Sequence, residues 1–425
     1  MRADVREEPV RIRSVTIGTN LGYPLDSGEF CTLETFQRTA RSRFENAGYE
    51  VQTTRLATQP FPLLLRDRGA ASAPRFAREL QSLCQEHGLD YCSIGPVLAT
   101  DTDCDLSFID VIPAVIQATD AVFASVLVAS QQAGINLQAI ARCAGLISEI
   151  AHLTPDGFGN LRLAVLADCG PGSPFFPVAY HQAPETGFTI ATEAADLAVK
   201  ALTGVTGLAE ANQRLVDAIE HEAEAIEQVC RSLEADFGFA YGGIDFSLAP
   251  FPVAARSIGQ AIEGLGIDRF GGSGTLFAVA LIKQAIEKAD FTPCGFCGVM
   301  LPVLEDHTLA HRTTEDLFTI DSLLLYSSVC GTGLDTIPLP GDVEVEELAG
   351  ILLDVATLSL VCEKPLTARL MPIPGKKAGE MTDFDFAYFA NAQIMSVRGC
   401  GAPRVFERNN GLTAAIAAPH TVATP

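Results

Sequence analysis

Apolar segments with the period of a strand alternate with segments that have the period of a helix along most of the chain. Residues 13–19 alternate apolar and polar side chains, and residues 32–47 then place Leu33, Phe36 and Phe44 at helical spacing. Strands that are separated by helices need crossover connections, which favour a largely parallel sheet, open or closed into a barrel. Further predicted elements of the first half are strand 49–53, helix 75–87, strand 89–94, helix 108–118, strand 121–128, helix 137–152 and strand 161–167.

The second half of the chain continues this succession without a linker. No run of Pro, Gly and Ser marks a boundary and no repeat of fixed period occurs, so we expect a single α/β domain over residues 10–408. The ends, 1–9 and 409–425, are expected to be flexible. Residues 192–237 have a helical and acidic pattern. The other predicted elements are strand 240–247, helices 253–265 and 274–289, strand 298–304, helices 317–328 and 343–356, and strand 368–373.

Charge and composition exclude several classes of protein. The 425 residues include 29 Lys and Arg against 52 Asp and Glu, and the net charge of −23 repels nucleic-acid phosphates and anionic lipid surfaces. The most apolar window, residues 111–130, contains Asp120, whose charge opposes insertion into a membrane. The first thirteen residues lack the apolar run of a signal peptide. We therefore expect a cytoplasmic protein with no nucleic-acid or membrane partner, and its twelve scattered cysteines to be free thiols.

The segment 161–181 leads from a predicted buried strand into a proline-rich loop that contains Asp168, Cys169 and His181. Loops that follow the carboxyl ends of strands often carry the catalytic groups of α/β proteins. An imidazole with an ordinary pKa of about 6.5 transfers protons at neutral pH, which makes His181 a candidate acid or base. The alternative is a histidine that is bound by backbone groups in an ordered loop. Cys169 is expected to be structural.

The strand predicted at 240–247 ends with Asp245 and Ser247, which share one face because they are two residues apart. Apolar neighbours would partly desolvate the carboxylate of Asp245 and raise its pKa toward the useful range for acid/base catalysis. The alternative role of Asp245 is a cap for the next helix.

The segment 271–276, GGSGTL, opens a predicted amphipathic helix. Free backbone N–H groups at a helix start and the hydroxyls of Ser273 and Thr275 would bind a carboxylate or phosphate, and an ordinary glycine turn is the alternative. The single C-x-x-C, formed by Cys294 and Cys297, precedes an apolar segment instead of opening a helix. Incidental buried thiols are therefore favoured over a zinc or redox site.

Three ionisable residues near the end of the chain complete the candidates. Asp335 lies in a glycine-rich segment, and Lys364 and Arg369 are cations in a chain that has few. Burial of Arg369 on a strand would require a carboxylate partner, either from a ligand or from the protein itself. An internal salt bridge with Asp335 or Asp245 is the protein-internal alternative.

Several motifs resemble, in order and spacing, those of the "PFL family" proteins, domain of unknown function seven-one-one. They are residues 125–136 (SVLVASQQAGIN), 245–252 (DFSLAPFP), 271–275 (GGSGT), 333–340 (GLDTIPLP) and 367–375 (TARLMPIPG). The resemblance extends over nearly the whole chain. It implies a closed or nearly closed barrel of the pyruvate formate-lyase-like type, with ten strands, a site at the barrel mouth and a homodimeric assembly.

The resemblance does not imply radical chemistry. The chain has no adjacent Cys-Cys pair, and SVRGCG at 396–401 only faintly matches a glycyl-radical motif. Many family members carry His-Gly-Thr-Thr before the long helix, whereas this chain has Gly272, Ser273, Gly274 and Thr275 there. A role of that histidine is therefore absent here or moved to another residue.

These residues together predict an enzyme that acts on a small, amino-acid-like carboxylate by acid/base chemistry, of the lyase or hydrolase type. Its catalytic residues would be His181, Asp245 and Asp335, with Arg369 or Lys364 on the substrate carboxylate, and His181, Asp245 and Arg369 are expected to converge on one pocket. Ser247 and the segment Gly272, Ser273, Gly274 and Thr275 would contribute further substrate contacts. The alternative is a metabolite-sensing protein that uses the same pocket. No organic cofactor is expected, and Asp168, His181 and Asp245 would hold a divalent metal ion if the fold brings them together.

Overall fold

The strands of the chain pair into a large mixed sheet in a computed structural model, which describes residues 9–399, Gly401 and the backbone of Thr413–Ala414. The expected flexible ends lie almost entirely outside these residues. The strands are β1 (Arg11–Thr19), β2 (Val51–Thr58), β3 (Tyr91–Leu98), β4 (Val122–Ser130), β5 (Gly134–Asn136), β6 (Leu163–Ala167), β7 (Gly187–Glu193), β8 (Ala240–Ala249), β9 (Gly333–Pro340), β10 (Leu366–Ile373) and β11 (Thr413–Ala414).

The direction of the strands changes along the sheet. Strands β1, β2, β3, β4 and β6 are parallel neighbours, as the crossover argument predicts. At one end β7 pairs antiparallel with β1 and parallel with β8, and at the other β10 pairs antiparallel with β6 and parallel with β9. The order is therefore β8-β7-β1-β2-β3-β4-β6-β10-β9, while β5 pairs with β4 and with β11.

Helices cover one face of this sheet. The first of them buries Phe30, Leu33, Phe36 and Phe44 as their spacing predicts, and the Asn136 side chain caps the sixth by accepting from the N–H of Ala139 at 3.0 Å. The helices are α1 (Ser27–Asn46), α2 (Phe61–Leu64), α3 (Ala73–Glu86), α4 (Ser107–Asp110), α5 (Ile112–Ala118), α6 (Leu137–Leu153), α7 (Ala195–Leu202), α8 (Leu208–Phe237), α9 (Ile258–Gly264), α10 (Thr275–Lys288), α11 (His307–Arg312), α12 (Ile320–Cys330) and α13 (Val345–Cys362).

The other face of the sheet packs against the loop 168–186, which we call the inner loop. The carbonyl of Pro174 accepts hydrogen bonds from the hydroxyls of Ser14 and Thr16 on β1, and the carbonyl of Ala179 accepts from Ser93 on β3. Small apolar clusters join the inner loop to β2, β4, β6, β7 and β8. The inner loop therefore fills much of the concave side of the sheet.

The two end strands, β8 and β9, are bridged by an irregular segment, residues 292–303. Its N–H groups at Cys294 and Met300 donate to carbonyls of β8, and the N–H of Val303 donates to the carbonyl of Asp335 on β9. The strand predicted at 298–304 is wrong as a regular strand, because Cys297 has a positive φ of 41° and Pro302 has no N–H to donate. In the described part of the chain, regular strand pairing therefore does not close the sheet into a barrel.

The described residues form a single α/β domain. No helix among them is long and apolar enough to cross a membrane. The sequence prediction missed β7, and it also missed β9 because Pro338 and Pro340 interrupt the pattern of a strand. Both prolines are tolerated because β9 is an end strand of the regular sheet.

Candidate functional site

A cavity of about 360 Å³ lies on the inner face of the sheet, near the residues where β1, β2, β3 and β6 begin. The inner loop, the bridging segment 292–303 and the loop 381–393 form its remaining walls. Aromatic residues are a third of its 24 lining residues but only 7% of the chain, so the lining is strongly enriched in rings. These rings belong to Tyr91, Phe123, Phe158, Phe175, Phe176, Phe296, Phe386 and Tyr388.

Arg55 on β2 brings a cation to the wall of this cavity. Its Nε donates to Thr53 Oγ1 at 2.8 Å, which is possible because the two residues are two apart on one face of the strand. The guanidinium carbon lies 5.8 Å from the ring centre of Tyr91 and 5.1 Å from that of Phe176. No carboxylate of the described residues forms a salt bridge with it. Burial, aided by the charge of Arg13, lowers the pKa of Arg55 to about 10, so the group remains charged at neutral pH.

Four further charged side chains form a connected network on the cavity wall. Arg13 Nη2 and Arg369 Nη2 donate to the two carboxylate oxygens of Glu305 at 2.5 and 2.7 Å, and Arg369 Nε donates to Asp335 Oδ1 at 2.6 Å. Burial alone would raise the pKa of Glu305, but the charges of Arg369 and Arg13 outweigh it and hold that pKa below its usual range. Within the described chain no donor binds Asp335 Oδ2.

Asp335 and Arg369 are the two sequence-predicted site residues that line the cavity. They pair with each other, which is the internal salt bridge that the sequence analysis gave as the alternative role of Arg369. Arg369 is therefore not a free cation. Arg162, another arginine of the cavity, donates to the backbone carbonyls of Ile116 and Val122, at the end of α5 and the start of β4. Of the four arginines that line the cavity, Arg55 is thus the one that binds neither a carboxylate nor a backbone carbonyl among the described residues.

Asp245 and Ser247 are fully buried beside the bridging segment and do not line the cavity. The Asp245 carboxylate accepts from the N–H groups of Phe296 and Cys297 at 2.7 and 3.0 Å and from Ser247. Burial raises the pKa of Asp245 to about 6 despite these hydrogen bonds. The thiols of Cys294 and Cys297 are free, and burial together with the nearby Asp245 charge raises the pKa of Cys297 to about 12, so this thiol is protonated at neutral pH.

His181 lies near the residues where β1 and β2 end, away from the cavity. Its backbone N–H donates to the carbonyl of Thr58 at 3.0 Å. The ring Nε2 is buried with no partner among the described residues, and burial lowers the pKa of the imidazole. Asp168 accepts from the N–H of Gln131 at 3.1 Å. The structure does not bring His181, Asp245 and Arg369 together. No group of three or more His, Cys, Asp or Glu side chains in the described chain is placed to hold a metal ion, so the three metal candidates are not clustered.

The remaining candidates belong to the helical layer. Gly272, Ser273 and Gly274 precede α10, where the N–H of Gly271 donates to the Thr275 hydroxyl, and none of them lines the cavity. Lys364 Nζ donates to the carbonyl of Val329 at 3.3 Å, in the last turn of α12. Lys364 thus supplies a donor to a carbonyl at the C-terminal end of α12.

Comparison with known proteins identifies the family. The model described as "Uncharacterised ACR (DUF711)" matches residues 4–391. The chain belongs to the DUF711 family. The UPF0210 protein of Desulforudis audaxviator (strain MP104C) is 29% identical over 438 residues, which cover 97% of this chain and 96% of that protein. UPF0210 protein MK1214 of Methanopyrus kandleri is 31% identical over 383 residues (86% and 83%), and UPF0210 protein PAE3581 of Pyrobaculum aerophilum is 32% identical over 387 residues (85% and 84%).

For this member of DUF711 the sequence analysis missed Arg55, Arg13 and Glu305. One signal was available for Arg55. It stands beside the apolar Leu56, two residues after the predicted strand 49–53, and a cation among apolar strand residues needs a partner for the same reason as Arg369. The strand extends to Thr58 in the structure, five residues beyond its predicted end, and therefore contains Arg55.

Proposed function

We propose that the protein is an enzyme that acts on a small carboxylate-bearing, amino-acid-like metabolite by acid/base chemistry, of the lyase or hydrolase type and without a glycyl radical. The observation that carries this proposal is Arg55, a charged guanidinium on a cavity wall with no carboxylate partner among the described residues. Planar guanidinium groups bind carboxylates with two parallel hydrogen bonds.

The charges around the cavity support an anionic ligand. Four arginines and three carboxylates line it, which leaves one positive charge in excess in a protein whose net charge is −23. A negatively charged metabolite is repelled by most of the protein surface and attracted at this place. A charge-assisted hydrogen bond in such a site contributes about 1.5–3 kcal/mol.

Asp335 is the proposed base. Its Oδ1 holds Arg369, and within the described chain its Oδ2 has no donor, so one oxygen remains for a substrate proton or a water molecule. Arg369 and Glu305 would then act as positioning residues, because they fix the carboxylate without contacting the substrate. His181 and Asp245 do not line the cavity, and this proposal gives them no step in the reaction.

A metabolite sensor is the second candidate. Both oxygens of Glu305 and one of Asp335 already bind arginines, so few free groups are left for proton transfer in the cavity. A ligand could therefore bind to Arg55 and remain chemically unchanged.

The test is a panel of amino-acid-like carboxylates incubated with the full chain, read by thermal stabilisation and by mass spectrometry. For the enzyme we expect one compound to be converted, Asp335→Asn to lower kcat about 100-fold or more while retaining binding, and Arg55→Gln to weaken binding about tenfold or more. Arg75→Gln, on the exposed face of α3, is the matched control. A stabilising compound that is recovered unchanged identifies a sensor, and a panel with neither stabilisation nor conversion contradicts both candidates.

We further propose a nearly closed barrel of the pyruvate formate-lyase-like type in a cytoplasmic homodimer without an organic cofactor. The hydrogen bonds that join the bridging segment 292–303 to both β8 and β9 support the barrel. Light scattering tests the dimer, because a mass near 45.1 kDa at micromolar concentration contradicts it. Elemental analysis of the purified protein tests for a divalent metal ion.

A further inference from the structure

The rings around Arg55 form a connected set. Tyr91 and Phe123 have ring centres 5.5 Å apart at an interplanar angle of 80°, and Phe123 and Phe176 have centres 5.3 Å apart at 63°. The Arg55 guanidinium lies near both ends of this set, over Tyr91 and over Phe176. An anion bound to Arg55 would therefore lie close to the rings of Tyr91 and Phe176.

A second set of rings comes from other parts of the chain. Phe158 lies between α6 and β6, whereas Phe386 and Tyr388 belong to the loop 381–393. The ring centres of Phe158 and Phe386 are 5.1 Å apart at 76°, and those of Phe386 and Tyr388 are 5.4 Å apart. The first pair packs edge to face and the second is tilted at 46°, and all three rings lie on the wall of the same cavity.

We propose that the metabolite is an arylalkyl monocarboxylate, whose carboxylate binds Arg55 and whose aromatic ring packs among these side chains. This inference rests on the proposed function and names its substrate class. An aromatic ligand gains edge-to-face contacts that an aliphatic ligand of equal size lacks, and one such pair changes an equilibrium constant by a factor of about two to ten. The cavity volume of about 360 Å³ is near the lower end of the range of about 300–1,000 Å³ for small-molecule pockets.

The charges restrict the class to ligands with one negative charge. Arg13 and Arg369 are already paired with Glu305 and Asp335, and both terminal nitrogens of Arg162 donate to backbone carbonyls. A second anionic group would therefore meet carboxylates and no second guanidinium whose donors are free. An amine beside the carboxylate is compatible with the class, because Asp335 lines the same cavity.

The experiment compares three probes by isothermal titration calorimetry with the full chain. 3-Phenylpropanoate and 3-cyclohexylpropanoate share the anion and the ring size but differ in aromaticity, and 3-phenylpropan-1-ol has the ring without the anion. We expect the phenyl acid to bind about fivefold or more tightly than the cyclohexyl acid, and the alcohol to bind at least tenfold more weakly than the phenyl acid. Phe123→Leu should reduce the preference for the phenyl acid, whereas Phe277→Leu, a ring exposed on α10, should leave it unchanged.

Two results would overturn the inference in different ways. Equal affinity for the two acids, with binding that still depends on Arg55, contradicts an aromatic substrate and leaves the proposed function standing. Absence of binding by both acids and by every carboxylate of the metabolite panel contradicts the proposed function itself. Thermal unfolding of each variant tests whether a changed affinity comes from loss of the fold.

Discussion

The Nε–H of Arg369 donates to Asp335 Oδ1 across 2.6 Å, and this pair joins β10 to β9 at the wall of the cavity. The same guanidinium binds Glu305, whose second oxygen accepts from Arg13 on β1. All four side chains are at most 15% exposed, so solvent screens their charges weakly. The network joins β1, β9 and β10 at the cavity, and its two arginines are balanced by its two carboxylates.

Glu305→Gln is expected to destabilise the protein by about 3–5 kcal/mol, because it leaves two buried arginines with a single carboxylate. The free energy of unfolding is measured by urea denaturation. Glu79→Gln, which removes an exposed partner of Arg75 on α3, is the control and should have a much smaller effect. Equal losses in the two variants would show that the buried network contributes no more to stability than one exposed ion pair.

Gly295→Ala is expected to destabilise the protein through two separate effects. Gly295 has a φ of 61°, and an added Cβ would lie 2.2 Å from Asp245 Oδ2 and 3.1 Å from Pro174. Positive φ costs an alanine about 1–2 kcal/mol, and overpacking adds about 1–3 kcal/mol. Gly172→Ala is the matched control, since Gly172 has a φ of 87° but open space around it. Urea unfolding should give the larger loss for Gly295→Ala, and equal losses would contradict the steric part.

Local periodicity predicted most of the helices and the parallel strands. The pattern failed where backbone pairing depends on distant partners. Strand β9 contains Pro338 and Pro340 and forms because an end strand of the regular sheet tolerates them. The segment 298–304 has a strand-like composition, but the chain bends at Cys297 directly before it. Neither outcome is encoded in the apolar pattern of the segment itself.

The candidate site was only partly predictable for a related reason. The rule that catalytic groups follow the carboxyl ends of strands assumes one strand direction, whereas β7, β8, β9 and β10 run opposite to β1. His181 follows that rule and lies near the end of β1. Arg55 lies in the middle of β2 and lines the cavity, whereas His181 binds the carbonyl of Thr58 at the end of the same strand and does not line it.

The cysteines of the described chain are free, and Cys31 is the exposed one among them. In a Cys400→Ser background, which removes the cysteine outside the described residues, we expect Cys31 to react fastest with Ellman's reagent in the native protein. Buried thiols such as Cys143 and Cys169 should react slowly, because burial raises their pKa. After denaturation without reductant all eleven thiols should react. A lower number would reveal a disulfide and contradict the structure.

Asp245 makes the stability of the protein depend on pH in a direction opposite to that of most carboxylates. Its pKa is raised by burial to about 6 in the folded protein, whereas an unfolded aspartate titrates near about 3.9. Between these values the folded state binds more protons than the unfolded state. The contribution of Asp245 to the free energy of unfolding is therefore largest below pH 4 and falls by up to about 3 kcal/mol as the pH rises through 6.

Asp245→Asn removes this titration while keeping a side chain of the same shape, so the comparison of the two proteins isolates the contribution of Asp245 from that of all other groups. Asparagine still offers one oxygen to the N–H groups of Cys297 and Ser247, but its amide faces the N–H of Phe296 and loses that hydrogen bond. We expect the variant to be less stable than the wild type at pH 4.5, and the difference to shrink by about 2 kcal/mol by pH 7.5. Urea unfolding at several pH values measures both proteins. A difference that is constant over this range would mean that the Asp245 carboxyl is not titrating there, and that the hydrogen bonds of the bridging segment outweigh the effect of burial.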